Sequence, residues 1–296
     1  MFITYYHNVV TTTRDEFDRR CSRVHLDAFA SQIEFLVRRY VVISLDEMLT
    51  RLRSGQLSSK SVAITFDDGY YGVLAHALPV LLKYKVPATV FVVTNHTSNG
   101  RPLHFDEIEI AFRLTKQRSI NFDFLGLGSR SLESFVSRVN CMRAAKGKLK
   151  LSPRRLELHA ELLKRLAVDP AEAFEYARAQ EKYRTMSWPE IREWTAAGMT
   201  VGSHTRSHRT LSQLDQADRQ QEIRGSLADI HGALGLDSVP FAYPYGEMEH
   251  IGPAAPAMIR EAGYSCALTT LKGANGPADN FFMMRRVGFD SLQWPV

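Results

Sequence analysis

Short hydrophobic runs recur along the chain, and most are followed by a segment with the spacing of an amphipathic helix. Eight runs are rich in aliphatic and β-branched residues without strict alternation, which is typical of strands buried on both faces of a parallel sheet. They begin at Phe2, Val41, Val62, Ala88, Met199, Phe241, Cys266 and Phe281. The alternation of strand and helix predicts βα units, and eight candidate strands favour a β/α barrel over an open sheet.

Polar residues in the intervening segments mark helix boundaries. Ser44 with Glu47, and Ser187 with Glu190, have the spacing of a capping box, in which each side chain bonds to the backbone of the other residue. Another helix, with apolar residues three and four positions apart, ends at Gly235, and glycine favours helix C-termini. These signals predict helices between the strands.

The segment from about residue 100 to 186 breaks the alternation of strand and helix. It is rich in predicted helix, with Ser152–Pro153 and Asp169–Pro170 as pairs of N-cap and first-turn residues. We interpret it as a helical insertion over one end of the barrel, within a single catalytic domain that spans residues 1–296.

Composition and charge indicate an ordinary globular protein. Hydrophobic residues make up 45% of the 296 residues, which is enough for a buried core. The net charge of +5 is spread along the chain, apart from a basic stretch at 143–156 that we interpret as a solvated helical face. The sequence has no recognition helix, aromatic-rich motif or zinc knuckle, so nucleic acid is not favoured as a partner. No window reaches the length of a membrane span.

Cysteine usage and the first residues bear on the cellular compartment. Cys21, Cys141 and Cys266 lie far apart without paired spacing, which is typical of a reducing compartment. Residues 1–10 read as a strand and lack the basic and apolar regions of a signal peptide. We therefore expect a cytoplasmic protein, and an exported protein trimmed of its leader is the alternative.

Three predicted strands end in motifs with catalytic chemistry. These motifs are TFDDG at 65–69, HTRSH at 204–208 and YPYG at 243–246. The carboxyl ends of the strands of a β/α barrel face a shared site. Two adjacent aspartates are costly to hold there unless a cation or hydrogen bonds offset their repulsion. The motifs therefore predict a divalent metal at this end of the barrel.

Two imidazoles and one carboxylate form the open ligand set of a catalytic metal site. We assign Asp68, His204 and His208 to the metal, which leaves Asp67 as the general base. A bound metal lowers the pKa of its water, and the base takes the proton as that water attacks a carbonyl. The pattern predicts a hydrolase.

The three motifs, in this order, resemble those of the polysaccharide deacetylase family, carbohydrate esterase family 4. Segments 77–93 and 187–202 and the Arg285–Val287 run fit the same family, so the resemblance covers nearly the whole chain except the insertion. It implies an α/β fold, a distorted (β/α) barrel of about seven strands with a helical insertion. The implied cofactor is a divalent metal, Zn²⁺ first, with Co²⁺ or Ni²⁺ as alternatives. It also implies that the substrate is a carbohydrate and that acetyl groups, usually N-acetyl groups of amino sugars, are hydrolysed.

The resemblance implies roles for residues of the third motif, and this motif also differs from the family pattern at one position. The backbone N–H of Tyr245, in the substrate-binding turn with Pro244, is expected to hold the tetrahedral oxyanion. Ala242 stands where the family commonly has an arginine that orients the catalytic aspartate. From their position near the last strand, we predict that Arg285 or Arg286 supplies the guanidinium instead.

A second departure concerns the acid that protonates the leaving amine. The family has a late leucine-histidine motif, and no histidine follows His250 here. His7, at the end of the first predicted strand, is our candidate for this role. Asp106, at the start of the insertion, is a candidate for substrate binding, and a carboxylate at a helix N-terminus is the alternative interpretation.

These observations predict a metal-dependent hydrolase that removes acetyl groups from an N-acetylated sugar or glycan. Without a leader, a soluble precursor, a nucleotide sugar or a lipid-linked intermediate is the expected substrate rather than a finished polymer. Hydrolysis of a non-sugar amide or cyclic imide, or of a sugar O-acetyl ester, is the alternative activity. The non-enzyme alternative is a catalytically silent metal- or carbohydrate-binding module, and the second aspartate, Asp67, argues against it.

Overall fold

A computed structural model of the chain describes residues 1–12, 17, 23–56 and 60–289. Its internal contacts divide these residues into two units. The first unit combines the described residues up to Gly100, apart from Phe17, with those from Thr185 onwards. The second unit contains Arg101–Arg184 and Phe17.

Short strands make up the sheets of the described residues. They are β1 (Phe2–Tyr6), β2 (Asn8–Val10), β3 (Arg23–His25), β4 (Val41–Val42), β5 (Ser61–Phe66), β6 (Thr89–Val92), β7 (Ser119–Asn121), β8 (Ser129–Ser131), β9 (Thr200–Ser203), β10 (Phe241–Ala242), β11 (Ala267–Leu268) and β12 (Val287–Gly288). Strands β2 and β3 form a separate parallel pair, and β7 and β8 form an antiparallel pair in the second unit.

Within the described residues, eight parallel strands form one sheet in the first unit. Seven of them follow the spatial order β11, β10, β9, β6, β5, β1, β12, and β4 pairs with the start of β5. A parallel bridge between Leu268 and Met284 connects β11 to the segment that leads into β12. The sheet therefore curls into a distorted (β/α) barrel, which confirms the predicted fold. The run that begins at Phe281 enters the sheet later than expected, because its strand is limited to Val287–Gly288.

Helices connect the strands of the first unit and make up most of the second. They are α1 (Leu26–Arg39), α2 (Leu45–Arg53), α3 (Leu78–Tyr84), α4 (Thr94–Asn99), α5 (His104–Leu114), α6 (Phe135–Lys150), α7 (Arg155–Leu166), α8 (Pro170–Arg178), α9 (Trp188–Ala196), α10 (Gln216–Leu234), α11 (Met248–Ile251) and α12 (Ala255–Ala262). No helix of the described residues is long and apolar enough to cross a membrane.

Capping residues begin and end several helices of the first unit as predicted. Ser187 and Glu190 form a capping box at the start of α9. The box predicted at α2 forms in part, since the hydroxyl of Ser44 accepts a hydrogen bond from the N–H of Glu47, whereas the Glu47 carboxylate pairs with Arg51. Gly235 ends α10 in the left-handed conformation, with a φ of 70°.

Alternate residues of the central strands face two different apolar layers, which explains why the sequence shows continuous hydrophobic runs. Val62, Ile64 and Phe66 of β5 pack in the cluster that includes the surrounding helices. Ala63 belongs to a second cluster, together with Phe91 of β6. Both faces of these strands are therefore buried, as expected for a parallel sheet covered by helices.

Gly72 lies just after the TFDDG motif that follows β5, and glycine is required there because a side chain would meet the backbone of β2. A Cβ atom on Gly72 would lie 2.2 Å from the carbonyl oxygen of Val9 and 2.4 Å from Oδ1 of Asn8. We expect Gly72→Ala to lower the free energy of unfolding by about 1–3 kcal/mol, as overpacking does. Urea unfolding would measure this change.

Gly232 provides the matched control for this substitution. It lies within α10 and is exposed, and nothing lies within 4 Å of an added Cβ. Gly232→Ala should raise the free energy of unfolding by roughly 0.5–1 kcal/mol, since alanine favours a helix. Equal effects of the two substitutions would contradict the predicted clash at Gly72.

The second unit has its own apolar cluster, which includes residues of α5, α6 and α7. Asp169 caps α8 as predicted, with Pro170 in its first turn. The predicted N-cap at Ser152 is wrong, since α7 begins at Arg155. The Ser152 carbonyl and hydroxyl instead accept hydrogen bonds from the N–H groups of Arg155 and Arg154, which forms a turn between α6 and α7.

Two of the three cysteines fall within the described residues. Cys141 and Cys266 are both buried, and neither forms a disulfide bond. Burial raises the pKa of the Cys266 thiol to about 12. Cys266 is therefore a small core residue rather than a reactive thiol. Cys21 lies outside the described residues.

Candidate active site

Neighbouring strands of the barrel end in polar residues at the same edge of the sheet. His7 follows β1, Asp67 and Asp68 follow β5, and His204 follows β9. The third motif, Tyr243–Gly246, follows β10. Because β1 and β5 are paired in parallel and the N–H of Asp67 bonds to the carbonyl that precedes His7, the ends of these two strands are adjacent. The sheet therefore brings the three motifs together at its carboxyl edge.

The three residues that we assigned to a metal lie close together and are buried. Oδ1 of Asp68 lies 3.7 Å from Nε2 of His204 and 3.3 Å from Nε2 of His208. The donor atoms of all three residues lie within 4.8 Å of one another. Two ligand atoms bound about 2.1 Å from one metal are roughly 3.0–3.5 Å apart. The geometry and chemistry of this donor set therefore fit a divalent metal with open positions.

A backbone carbonyl fixes the tautomer of His204. Its Nδ1 lies 2.7 Å from the carbonyl oxygen of Ala242, so Nδ1 carries the proton and Nε2 keeps its lone pair. Burial lowers the pKa of His204 to about 4, although the negative charge of Asp67 opposes this effect. The imidazole is thus neutral at neutral pH, and its Nε2 faces Asp68.

Left-handed backbone conformations concentrate in the three motifs. Six non-glycine residues among those described have a positive φ, and four of them lie here: Asp68 (73°), Thr205 (69°), His208 (55°) and Tyr245 (63°). Non-glycine residues rarely adopt this conformation, and functional sites are where it clusters. At the second motif, Oγ1 of Thr205 accepts a hydrogen bond of 2.9 Å from the N–H of His208 and stabilises the turn.

A buried arginine holds the predicted base. Nη1 and Nη2 of Arg286 donate to Oδ1 and Oδ2 of Asp67 at 2.7 and 2.8 Å, and Nε donates to the carbonyl of Thr269. Burial alone would raise the pKa of Asp67. Mainly through its charge and its two hydrogen bonds, Arg286 offsets burial, and the pKa of Asp67 lies below its ordinary value. Asp67 is therefore ionised at neutral pH.

Of the two arginines named from the sequence, Arg286 reaches Asp67 and Arg285 does not. Nη1 of Arg285 lies 3.6 Å from Oδ1 of Asp279, and 47% of the Arg285 side chain is exposed. Arg286 therefore supplies the guanidinium that we predicted for Asp67 in the absence of an arginine at position 242. Arg286 directly precedes β12, whereas Ala242 lies at the end of β10, and these two strands are not neighbours in the sheet. Arg286 therefore approaches Asp67 from a different strand than a residue at position 242 would.

His7 and Asp106 have different surroundings. His7 is partly buried beside β5, with its ring 5.9 Å from that of Tyr5. Burial and the charge of Arg286 lower the pKa of His7, while the charge of Asp67 raises it. Asp106 is only 2% exposed and lies in the first turn of α5, within the second unit. Its predicted role in substrate binding stays a prediction.

The turn of the third motif packs against a predicted metal ligand. The ring of Tyr245 lies 4.9 Å from that of His208. Oγ1 of Thr270 donates to the carbonyl of Tyr245 at 2.8 Å, and a Cβ on Gly246 would lie 2.6 Å from the Thr270 nitrogen. Pro244, before Tyr245, is buried. The backbone of this turn is therefore fixed beside His208.

Helix α10 contributes polar residues to the site that our sequence analysis missed. Glu222 accepts hydrogen bonds from the backbone of Arg206 and Ser207, between the two histidines. Ser226 bonds to Ser203, the residue before the first histidine. The apolar spacing of α10 predicts only the face that packs in the core. Polar residues four and three positions apart, ending at Asp229, were the signal that could have identified this second face.

Comparisons with known proteins agree with this geometry. A family model described as polysaccharide deacetylase matches residues 54–112 and 156–267. Over 81 residues, the chain is 39% identical to poly-β-1,6-N-acetyl-D-glucosamine N-deacetylase of Staphylococcus aureus strain MSSA476. That segment is 27% of this chain and 28% of the relative.

Solved structures are similar over nearly the whole chain. The deacetylase PplD of Streptococcus pyogenes, in complex with acetate, aligns with a TM-score of 0.62 and 17% identity. IcaB of Ammonifex degensii aligns with a TM-score of 0.58 and 19% identity. Each alignment covers 97% of this chain and 91% of the other. At these identities, the likeness shows the fold alone and not the reaction.

Proposed function

Since the chain belongs to the polysaccharide deacetylase family, we propose that it is a metal-dependent hydrolase of N-acetyl groups on a polymer of β-linked N-acetylglucosamine. One observation carries the proposal: an aspartate held ionised by a buried arginine lies directly beside three residues that fit a divalent metal. The S. aureus relative supports a β-1,6-linked polymer as the first substrate to test.

Asp68, His204 and His208 would hold the ion, and two imidazoles with one carboxylate suit Zn²⁺, with Co²⁺ or Ni²⁺ as alternatives. When bound, a divalent ion lowers the pKa of water and polarises a carbonyl. Asp67 then accepts the proton of the attacking water. Arg286 orients Asp67 and keeps it ionised before the reaction.

The remaining roles belong to Tyr245 and His7. The N–H of Tyr245, in the fixed turn beside His208, donates to the oxygen that becomes negative as the carbonyl carbon turns tetrahedral. His7, adjacent to Asp67, donates a proton to the leaving nitrogen, which departs as a neutral amine. Because burial lowers the pKa of His7, its ring is neutral before the reaction. It would therefore receive the proton that Asp67 takes from water and pass it on to the leaving nitrogen.

Acetate release from a substrate panel tests the proposal. The panel contains β-1,6- and β-1,4-linked N-acetylglucosamine oligosaccharides, a UDP-linked N-acetylamino sugar and acetyl esters of sugars. It also contains a cyclic imide, whose ring opening releases no acetate and is followed by chromatography. We expect metal-loaded protein to release acetate from the N-acetylated oligosaccharides at the highest kcat/KM. Faster turnover of the esters or the cyclic imide would reject N-deacetylation. The absence of any turnover by folded, metal-loaded protein would favour a binding module.

A further inference from the structure

The loop between the two predicted histidine ligands is anchored to α10 by one carboxylate. Oε2 of Glu222 accepts hydrogen bonds from the N–H of Arg206 at 3.0 Å and from the N–H of Ser207 at 2.9 Å. Oε1 of Glu222 accepts a further, short hydrogen bond from the hydroxyl of Ser207. The Glu222 side chain is buried, so water does not replace these contacts readily.

Other residues on the same face of α10 hold the same loop. Oγ of Ser226 lies 2.8 Å from Oγ of Ser203. Oδ2 of Asp229 accepts from Nε of Arg206 at 3.0 Å and from Oγ1 of Thr94 at 2.6 Å. Along the helix, Glu222, Ser226 and Asp229 are four and three positions apart, so they form one polar stripe toward the loop.

A glycine on α10 makes room for this arrangement. A Cβ on Gly225 would lie 2.4 Å from Cδ of Arg206, so the arginine stem lies directly on the helix at this point. This close approach lets the Arg206 guanidinium reach Asp229. The loop therefore contacts α10 through its backbone and through the Arg206 side chain, and Glu222 provides the backbone contacts.

The loop needs such an anchor because its backbone is strained on both sides. Thr205 and His208 both adopt the left-handed conformation, which non-glycine residues hold only when surrounding contacts determine it. Without the Glu222 carboxylate, the N–H groups of Arg206 and Ser207 lose their acceptor in a buried setting, which is costly. The loop then relaxes, and the imidazole of His208 moves away from Asp68.

We infer that Glu222 is a positioning residue that sets the affinity of the Asp68, His204 and His208 site for its metal, although it touches neither metal nor substrate. The inference rests on the proposed function in one respect, namely that these three residues bind a metal. Groups that hydrogen-bond to metal ligands set the affinity of a site, and their loss costs about 10–100-fold. Glu222 acts through the backbone of the loop that carries His204 and His208, so we take this range as the expected effect.

Metal titration of the full chain tests this inference. Metal-free protein is titrated with Zn²⁺ against a chromophoric chelator, well below the melting midpoint of every variant. We expect Glu222→Ala to weaken Zn²⁺ binding by about 10–100-fold. Glu222→Gln should weaken it less, because its amide oxygen still accepts both N–H groups. Gln221→Ala, an exposed neighbour on α10, is the matched control and should bind like the wild type.

The outcomes separate positioning from general stability. A lower melting midpoint of metal-free Glu222→Ala with wild-type affinity would overturn the inference, as would equal affinities of all variants. If Glu222→Ala does not fold, the test uses Glu222→Gln and Ser207→Ala, and the latter removes only the hydroxyl contact. Wild-type Zn²⁺ affinity of both variants would then overturn the inference. Failure of the wild type itself to bind Zn²⁺ would reject the proposed function rather than the role of Glu222 alone.

Discussion

Replacing Asp67 with asparagine is expected to lower acetate release by about 10²–10⁴-fold, the range that a lost general base accounts for. The asparagine amide keeps nearly the same shape beside Arg286 but cannot accept the proton of the attacking water. Because Asp67 is not among the predicted ligands, the variant should retain metal. The measurements are kcat and the metal content of the purified protein.

Two variants act as controls for Asp67→Asn. Asp68→Asn removes a predicted ligand and should lose both metal and activity. Asp237→Asn changes an aspartate whose side chain is 90% exposed and should keep both. Asp67→Asn leaves the buried charge of Arg286 without its carboxylate partner, so the melting midpoint of this variant should fall. The kcat values should therefore be compared at a temperature below that midpoint. Wild-type kcat in folded, metal-loaded Asp67→Asn would contradict the assignment.

The replacement of Arg286 by glutamine is expected to affect stability, rate and pH dependence together. It breaks a buried, bidentate ion pair and leaves the Asp67 carboxylate uncompensated, which costs about 3–5 kcal/mol of the free energy of unfolding. Burial then dominates and raises the pKa of Asp67. A raised pKa keeps the base protonated to higher pH, so the acidic limb of kcat/KM should move to higher pH.

Arg285→Gln is the matched control, one residue away and on the surface. It should leave stability, rate and the pH profile of kcat/KM unchanged. Arg286→Lys should have a stability, a rate and an acidic limb between those of Arg286→Gln and Arg285→Gln. Lysine keeps the positive charge but cannot form two parallel hydrogen bonds. An acidic limb that stays at its wild-type pH in Arg286→Gln would show that Arg286 does not control the ionisation of Asp67.

The barrel and the convergence of Asp68, His204 and His208 could be predicted because both depend on local patterns. Parallel strands buried on both faces give continuous runs such as that of β5, and their carboxyl ends must meet at one edge. The polar residues that follow these runs, Asp68 and His204 among them, therefore had to converge. Short sequence motifs were enough to place them, even though their partners lie far away in the chain.

The choice between Arg285 and Arg286 could not be made from the sequence. Successive residues of an extended segment point to opposite sides, so the choice depends on register. That register comes from the pairing of β12 with β1, in which Thr4 lies opposite Val287. A pairing between residues at the two ends of the chain leaves no local trace in either segment.

Glu222 was missed for a related reason. Its helix contains enough apolar residues to pack on the sheet, and this pattern explained the segment without its polar face. The hydrogen bonds of Glu222 go to backbone N–H groups of the loop, which any sequence of that loop would offer. The spacing of Glu222, Ser226 and Asp229 marks a second, polar face of the helix, but only the structure shows which backbone groups this face contacts.

Removal and restoration of the metal tests the account most directly. Acetate release from a β-1,6-linked N-acetylglucosamine oligosaccharide is measured on the wild type as purified, after dialysis against a chelator, and after addition of Zn²⁺, Co²⁺ or Ni²⁺. The account predicts that activity disappears in folded, metal-free protein and returns with stoichiometric metal. Undiminished acetate release by protein shown to be metal-free would contradict it.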